Sequence, residues 1–199
     1  SVEGEKFWYK LHGHDLPDQE THKSVIGHSR VLDPELRPPA MAKLVARRLT
    51  VKAASRLRRA ELYATHFDLG VRNQNNEKFM ASYTIQAAQD NFAFLDALEI
   101  LWNAMMVQVK PNHLKKISIA IHGLCERTDI TPDLFDYAQP QAVKNQQSRV
   151  RDLSDVIDQI NQKFGAESIH LGLTPKTSAG YVGTKIAFNR IPDIEEFQE

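Results

Sequence analysis

The order β-α-β-β-α-β predicts an α+β fold: a four-stranded antiparallel-type sheet with two helices on one face, followed by a small C-terminal α/β appendage. Three observations carry it. VIGHSRVL, THFDLGVR, KFMASYTIQ and KKISIAIHGL alternate with a period of two. Two long stretches of helical period stand between the first and second and between the third and fourth of these. NQNNE, with its turn chemistry, joins the second and third as a hairpin.

Residues 1–14 read as a helical end. Phe7, Trp8 and Leu11 stand at helical spacing and Gly13 stops the helix. Residues 15–23 are polar, contain Pro17 and read as a linker. In the first strand, His28 and Arg30 share one face, and Ser29 and Val31 the other. The paired prolines of DPELRPP suit a helix start near Pro39, and the helix runs to about Glu61. Val45, Leu49, Ala53 and Leu57 step by four and line its buried stripe.

On the hairpin, Phe67, Leu69 and Val71 face inward, as do Phe79, Ala81, Tyr83 and Ile85. Asp90 or Asn91 caps the next helix, whose stripe is Phe94, Leu95, Leu98, Leu101, Trp102 and Met105, and Pro111 ends it. The last strand turns Ile117, Ile119 and Ile121 inward. The outward set is then His28, Arg30, His66, Arg72, Ser82, Thr84, Lys116, Ser118 and His122, a polar surface open to a partner. Residues 24–127 form this domain.

Residues 128–147 are polar, rich in Gln and Pro, and read as a flexible linker. Residues 148–199 read as the appendage. Its helix carries Val150, Leu153, Ile157, Ile160 and Phe164 on one stripe. ESIHLGL and KIAFNRI are short strand candidates, and an acidic tail follows.

The chain has zero net charge, yet charge is partitioned. Residues 23–127 hold sixteen Lys or Arg and nine Asp or Glu, a net of +7, and the flanks hold −7. Lys43, Arg47, Arg48, Lys52, Arg56, Arg58 and Arg59 lie in one helix segment with no acid among them. A concentration of cations of this kind points to a polyanion, above all nucleic acid. No apolar run approaches the roughly 20 residues that span a bilayer, so no membrane role is expected. The opening SVEGEKFWYK is not a secretory signal. A lone Cys125 has no disulfide partner and suits a reducing compartment. The missing initiator Met suggests a piece of a longer chain.

VIGHSRVL, ARRLTVKAASRLRR and IAIHGL, in this order and spacing, resemble the little-finger domain of Y-family translesion DNA polymerases, of the bacterial DinB-like, ImpB/MucB/SamB type. SVEGEKFWYKLHGHD resembles the end of such a polymerase's thumb, and KFG, IHLGL and KIAFNRIPD resemble the tail of part of the group. The resemblance implies a domain that lies in the major groove and holds primer–template DNA during translesion synthesis, in the bacterial cytoplasm at the nucleoid and within DNA repair and the SOS response. The parent would be a nucleotidyltransferase. Carried over, the DNA-binding positions are His28, Arg30, Arg72, Ser82, Thr84, Lys115, Lys116 and Ser118. Ala120 departs from the pattern, where such a strand often has Arg, and the linker of residues 15–23 is neutral rather than basic.

No catalytic or metal-binding residues are expected in this chain. Polymerase chemistry needs carboxylates around two Mg²⁺ ions, which the resemblance assigns to an absent palm domain. Asp152, Asp155 and Asp158 read as a solvated helix face. His12 and His14 are spaced to chelate a metal with a further ligand, but they sit at a boundary and no metal is expected there; Cys125 has no partner in the sequence for nucleophilic work, and Gly180 and Gly183 near Lys185 do not form a phosphate loop. TPDLFD resembles sliding-clamp ligands of the type Gln-x-x-Leu-Phe, with Leu134 and Phe135 as anchors and Thr131 at the Gln position. The partners implied are primer–template DNA and the sliding clamp or other mutasome proteins. One alternative is a catalytically inactive polymerase-like accessory protein that recruits partners to damaged DNA; palm carboxylates in the parent would decide. A ferredoxin-like RNA reader would expose aromatic side chains for base stacking, and the outward set contains none.

Overall fold

A computed structural model describes residues 2–16, 24–130, 141–165 and 168–172. Its elements, in chain order, are α1 (Val2–Leu11), β1 (Val25–Val31), α2 (Pro39–Arg59), β2 (Tyr63–Asn73), β3 (Lys78–Ala88), α3 (Asn91–Val109), β4 (Leu114–Cys125) and α4 (Gln141–Phe164). The strands form one sheet in the order β1-β4-β2-β3, with every neighbouring pair antiparallel. Both β-α-β units are therefore split. β4 lies between β1 and β2, and β2 lies between β3 and β4.

Local chemistry sets the boundaries. Pro38 and Pro39 open α2, and Ala42 N–H donates to the Pro38 carbonyl at 2.9 Å. Asp90 caps α3, its carboxylate accepting from the N–H groups of Phe92 and Ala93 at 3.0 Å each. Lys110 ends that helix in the left-handed region at φ 45°, with Pro111 next. Gly13, at φ 79°, follows the turn that closes α1.

Both long helices pack on the same sheet face, α2 over β1 and β4 and α3 over β2 and β3. Small residues on α2 (Ala42, Ala46, Ala53 and Ala54) let it approach closely, and Val45, Leu49 and Leu57 fill the gaps. The buried hydroxyl of Thr50 is satisfied by donating to the Ala46 carbonyl at 2.9 Å. α3 is the one helix among the described residues long and apolar enough to cross a bilayer. Its stripe of Phe94, Leu95, Leu98, Leu101, Trp102 and Met105 faces the core instead.

The register of the sheet is held by burial. Ile117, Ile119 and Ile121 of β4 are all buried beneath the helices. Full burial of such side chains is worth ~1.5–3 kcal/mol each. A one-residue slip would expose all three at a cost of roughly 5–9 kcal/mol, a large part of a domain's whole stability. The same register fixes which side chains look outward.

α4 docks on the back of the domain through a buried arginine. The Arg58 side chain is 5% exposed, and its Nε donates to Asp158 at 2.7 Å. Its two terminal nitrogens donate to the Gln89 carbonyl at 2.7 Å and Asn91 Oδ1 at 3.1 Å, and Asp155 lies 3.7 Å away. Ser154 is buried beside it and accepts from Asn91 N–H at 3.2 Å. Asp155 and Asp158 are thus ion-pair partners rather than a solvated face.

The expected apolar stripe of α4 is only partly present. Ile157 is buried, whereas Leu153 and Phe164 are exposed, because polar groups make much of the contact. α4 also begins at Gln141, inside the stretch expected as linker. In ESIHLGL, residues 168–172 form bends rather than a strand. Asn161 clamps this turn with two hydrogen bonds to Ile169, and Leu171 packs against the core. KIAFNRI lies outside the described residues.

Candidate nucleic-acid interface

Cross-strand pairing orders the uncovered face into four rows. Val31, Lys116, Arg72 and Lys78 form the first. Ser29, Ser118, Gly70 and Met80 form the second, and Gly27, Ala120, Asp68 and Ser82 the third. Val25, His122, His66 and Thr84 form the fourth. At ~3.3 Å per residue, the first and fourth rows stand roughly 20 Å apart.

The first row is cationic. Lys116, Arg72 and Lys78 are direct neighbours across β4, β2 and β3, where Cβ atoms sit ~4.5–5.5 Å apart. None of the three joins an ion pair among the described residues. The nearest acid along the chain, Glu77, is held by Asn73, whose Nδ2 donates to it at 2.6 Å. Like charges directly opposite one another on neighbouring strands are destabilising. A sheet with three adjacent cations therefore carries a cost in stability that a bound polyanion would relieve.

The middle rows are small and polar. The Ser118 hydroxyl donates to the Gly70 carbonyl at 3.2 Å. A methyl group on Gly70 would run into that hydroxyl oxygen, so the surface stays low there. Ser82, Thr84 and Met80 are exposed on the edge strand β3. Arg72, Ser82, Thr84, Lys116 and Ser118 thus share this face, as the alternation requires. Lys115 is exposed at the sheet end, where the β2–β4 register shifts between Arg72 and Asn73, and alternation does not fix its side.

His28 and Arg30 do not join it, which corrects the expected outward set. They pair with Ile119 and Ile117, and so stand on the helix-covered face with Ile26 and Leu32. The Arg30 side chain is 15% exposed and its guanidinium pairs with Asp33 at 3.1 Å. Val25 and Val31 take the outward positions instead and are exposed. Ile26 against Ile121 sets this parity, and the helices leave room at the rim for longer polar side chains. Lys78 is the cation that the outward set missed; its shared parity with Met80, Ser82 and Thr84 was the available signal.

The basic stretch of α2 lies on the opposite side of the sheet. Lys43 donates to Glu99 of α3 at 2.6 Å, and Arg58 is the buried hub described above. The hydrogen bond and charge of Lys43 hold the Glu99 carboxyl below its usual range, with burial opposing. Burial pushes the Cys125 thiol up, and Asp129 adds to the shift. Among the described residues, no three His, Cys, Asp or Glu side chains converge as metal ligands. Asp155 and Asp158 do not suit Mg²⁺, because Arg58 already occupies them. Leu134 and Phe135 lie outside the described residues.

The family model described as "impB/mucB/samB family C-terminal domain" matches residues 23–134. No curated protein matches the chain. A Y-family DNA polymerase chimera of Dbh and Dpo4 is a similar solved structure, at TM-score 0.47 and 7% identity, covering 63% of this chain and 36% of that one. The little finger domain of PolIV, solved in complex with the β-clamp processivity factor, is similar at TM-score 0.42 and 9% identity, covering 55% of this chain and 97% of that one. The chain spans about a third of the polymerase chimera's length. With the family match covering more than half of its residues, the chain belongs to the impB/mucB/samB family and contains that family's C-terminal domain.

Proposed function

We propose that the open face of the sheet grips duplex DNA by its phosphates and holds primer–template for a catalytic domain of the parent polymerase during lesion bypass. One observation carries the reading: three neighbouring cations, Lys116, Arg72 and Lys78, stand on an uncovered sheet face without an ion-pair partner among the described residues. Phosphate binding needs cations and donors held in register, and no reactive group. Ser82, Thr84 and Ser118 supply neutral hydroxyls beside the cations. Their short side chains let the duplex approach the strands. Nucleotide transfer and its Mg²⁺ belong, in this reading, to the parent's palm.

Fluorescence anisotropy with a labelled primer–template tests it. Binding weakens steeply as salt rises, by a log–log slope of about 0.9 per neutralised phosphate. The double variant R72Q/K116Q lowers that slope by about two and weakens binding on all sequences alike. Affinity that ignores salt, or that survives this double change intact, overturns the reading. The segment TPDLFD, with Leu134 and Phe135, adds a clamp contact to the proposal. Titration of that peptide with sliding clamp should saturate by high micromolar concentration, and absence of saturation removes this part.

A further inference from the structure

A second constellation stands at the other end of the same face. The rings of His66 on β2 and His122 on β4 are stacked, with centroids 4.8 Å apart and planes at 17°. His122 Nε2 lies 3.0 Å from Asp68 Oδ1, and both side chains are about one-third exposed. The Thr65 hydroxyl donates to the Gly123 carbonyl at 3.3 Å and lies 2.8 Å from His66 Nδ1. A protonated imidazole donates from both ring nitrogens, so in that form Nδ1–H of His66 gives to this hydroxyl and Nε2–H is left for a ligand. Gly123 adopts φ 66°, and a Cβ there would meet Thr65 Oγ1 and come within 2.7 Å of the His66 ring. A glycine at this position keeps room for the histidine.

The charge at this end is set by few groups. Across the sheet, β3 brings Thr84 and Ser82, and β1 brings Val25 and Gly27, none of them charged. β4 adds Ala120 beside His122, and β2 adds Asp68. The other charges on this face, Arg72, Lys78 and Lys116, stand roughly 20 Å from the histidine row and roughly 13 Å from Asp68, beyond a Debye length of ~8 Å at physiological salt. With both imidazoles neutral, Asp68 leaves a net −1 that repels phosphate. One proton cancels it and two reverse it.

We infer that His66 and His122 form a second, proton-linked phosphate contact on the sheet face, so that the grip on duplex DNA tightens as the solution becomes mildly acidic. The inference rests on the proposed binding of duplex to this face. Histidine is the side chain whose ordinary charge change falls between about pH 5 and 8. Protonated His122 pairs with Asp68 and removes its repulsion. Protonated His66 turns its Nε2–H outward as a charged donor to a phosphate oxygen.

The test is anisotropy of the full chain with primer–template at about pH 8 and pH 6 and fixed ionic strength. The wild type should bind about tenfold tighter at the lower pH, with a salt slope steeper by about one. H66Q/H122Q should lose most of that pH response, and D68N should tighten binding at pH 8. An equal pH response in wild type and H66Q/H122Q overturns the inference, as does a wild type indifferent to pH. R72Q/K116Q separates the two readings. If it weakens binding while H66Q/H122Q keeps the wild-type pH response, only the histidine contact falls; if duplex binding ignores R72Q/K116Q, both fall. Should H66Q/H122Q fail to fold, calorimetry of the wild type in two buffers of different ionisation enthalpy decides. Proton uptake on binding near pH 7 supports the contact, and none overturns it.

Discussion

The two faces of the sheet treat positive charge in opposite ways. Behind it, Arg58 has acceptors on three sides and Lys43 has Glu99, while Arg30 at the rim has Asp33. In front, Lys116, Arg72 and Lys78 stand side by side without an ion-pair partner among the described residues. The basic segment of α2 dominates the sequence, yet it lies on the side where cations are spent on architecture. A cation with its own internal acceptor has little left for a ligand. Missing compensation, rather than density of charge, marks the surface proposed to receive phosphate.

This contrast is open to direct attack. Removing Arg58 should have the largest effect. R58M leaves the buried Asn91 and the partly exposed Asp158 without their donor, and stability should fall by about 2–4 kcal/mol. Urea unfolding measures it, and a loss below about 1 kcal/mol would erase the distinction between the faces. D90A should cost about 1 kcal/mol, because two N–H groups at the start of α3 lose their acceptor.

The pair of Lys43 and Glu99 is partly exposed and worth less, within the ~0.2–1 kcal/mol of such pairs. Because the Glu99 carboxyl is held below its ordinary value of 4.5, the contribution is present above that pH and fades as pH falls through the lowered value. The stability gap between wild type and K43M should close under acid by that route. R72Q should move stability least, raising it by a few tenths of a kcal/mol as a like-charge contact is relieved. A destabilisation of several kcal/mol would mean that Arg72 is structural, like Arg58.

Most of the fold was legible because burial patterns in the middle of a domain are unambiguous. The run of Ile117, Ile119 and Ile121 admits one inward parity, and the hairpin, the Asp90 cap and the Pro39 start follow from local chemistry. VIGHSRVL is different. Its odd set holds Val25, Gly27, Ser29 and Val31, and its even set Ile26, His28, Arg30 and Leu32. Each set has two apolar ends around two small or polar residues, so the pattern is degenerate. Only pairing with β4 chooses between them, and it turned His28 and Arg30 inward. The role of Arg58 was hidden for another reason. Its acceptor, Asp158, is one hundred residues away in the chain, and nothing local distinguishes it from Arg56 or Arg59. The histidine stack likewise needs β2 and β4 side by side, an adjacency that strand order alone reveals.

The place of β4 in the sheet has a consequence for how the protein is made. The last strand of this sheet to leave the ribosome is an inner one, inserted between the first and second. Until residue 125 emerges, β1 has no partner and β2 and β3 form a bare hairpin, which is marginal by itself. Closure then requires contacts between residues some ninety positions apart, and such distant pairings are slow to form. Nascent chains therefore pass through a stage with two strand edges open that β4 later covers, one on β1 and one on β2. That stage is the point in the protein's life at which it is most exposed to aggregation and to chaperones.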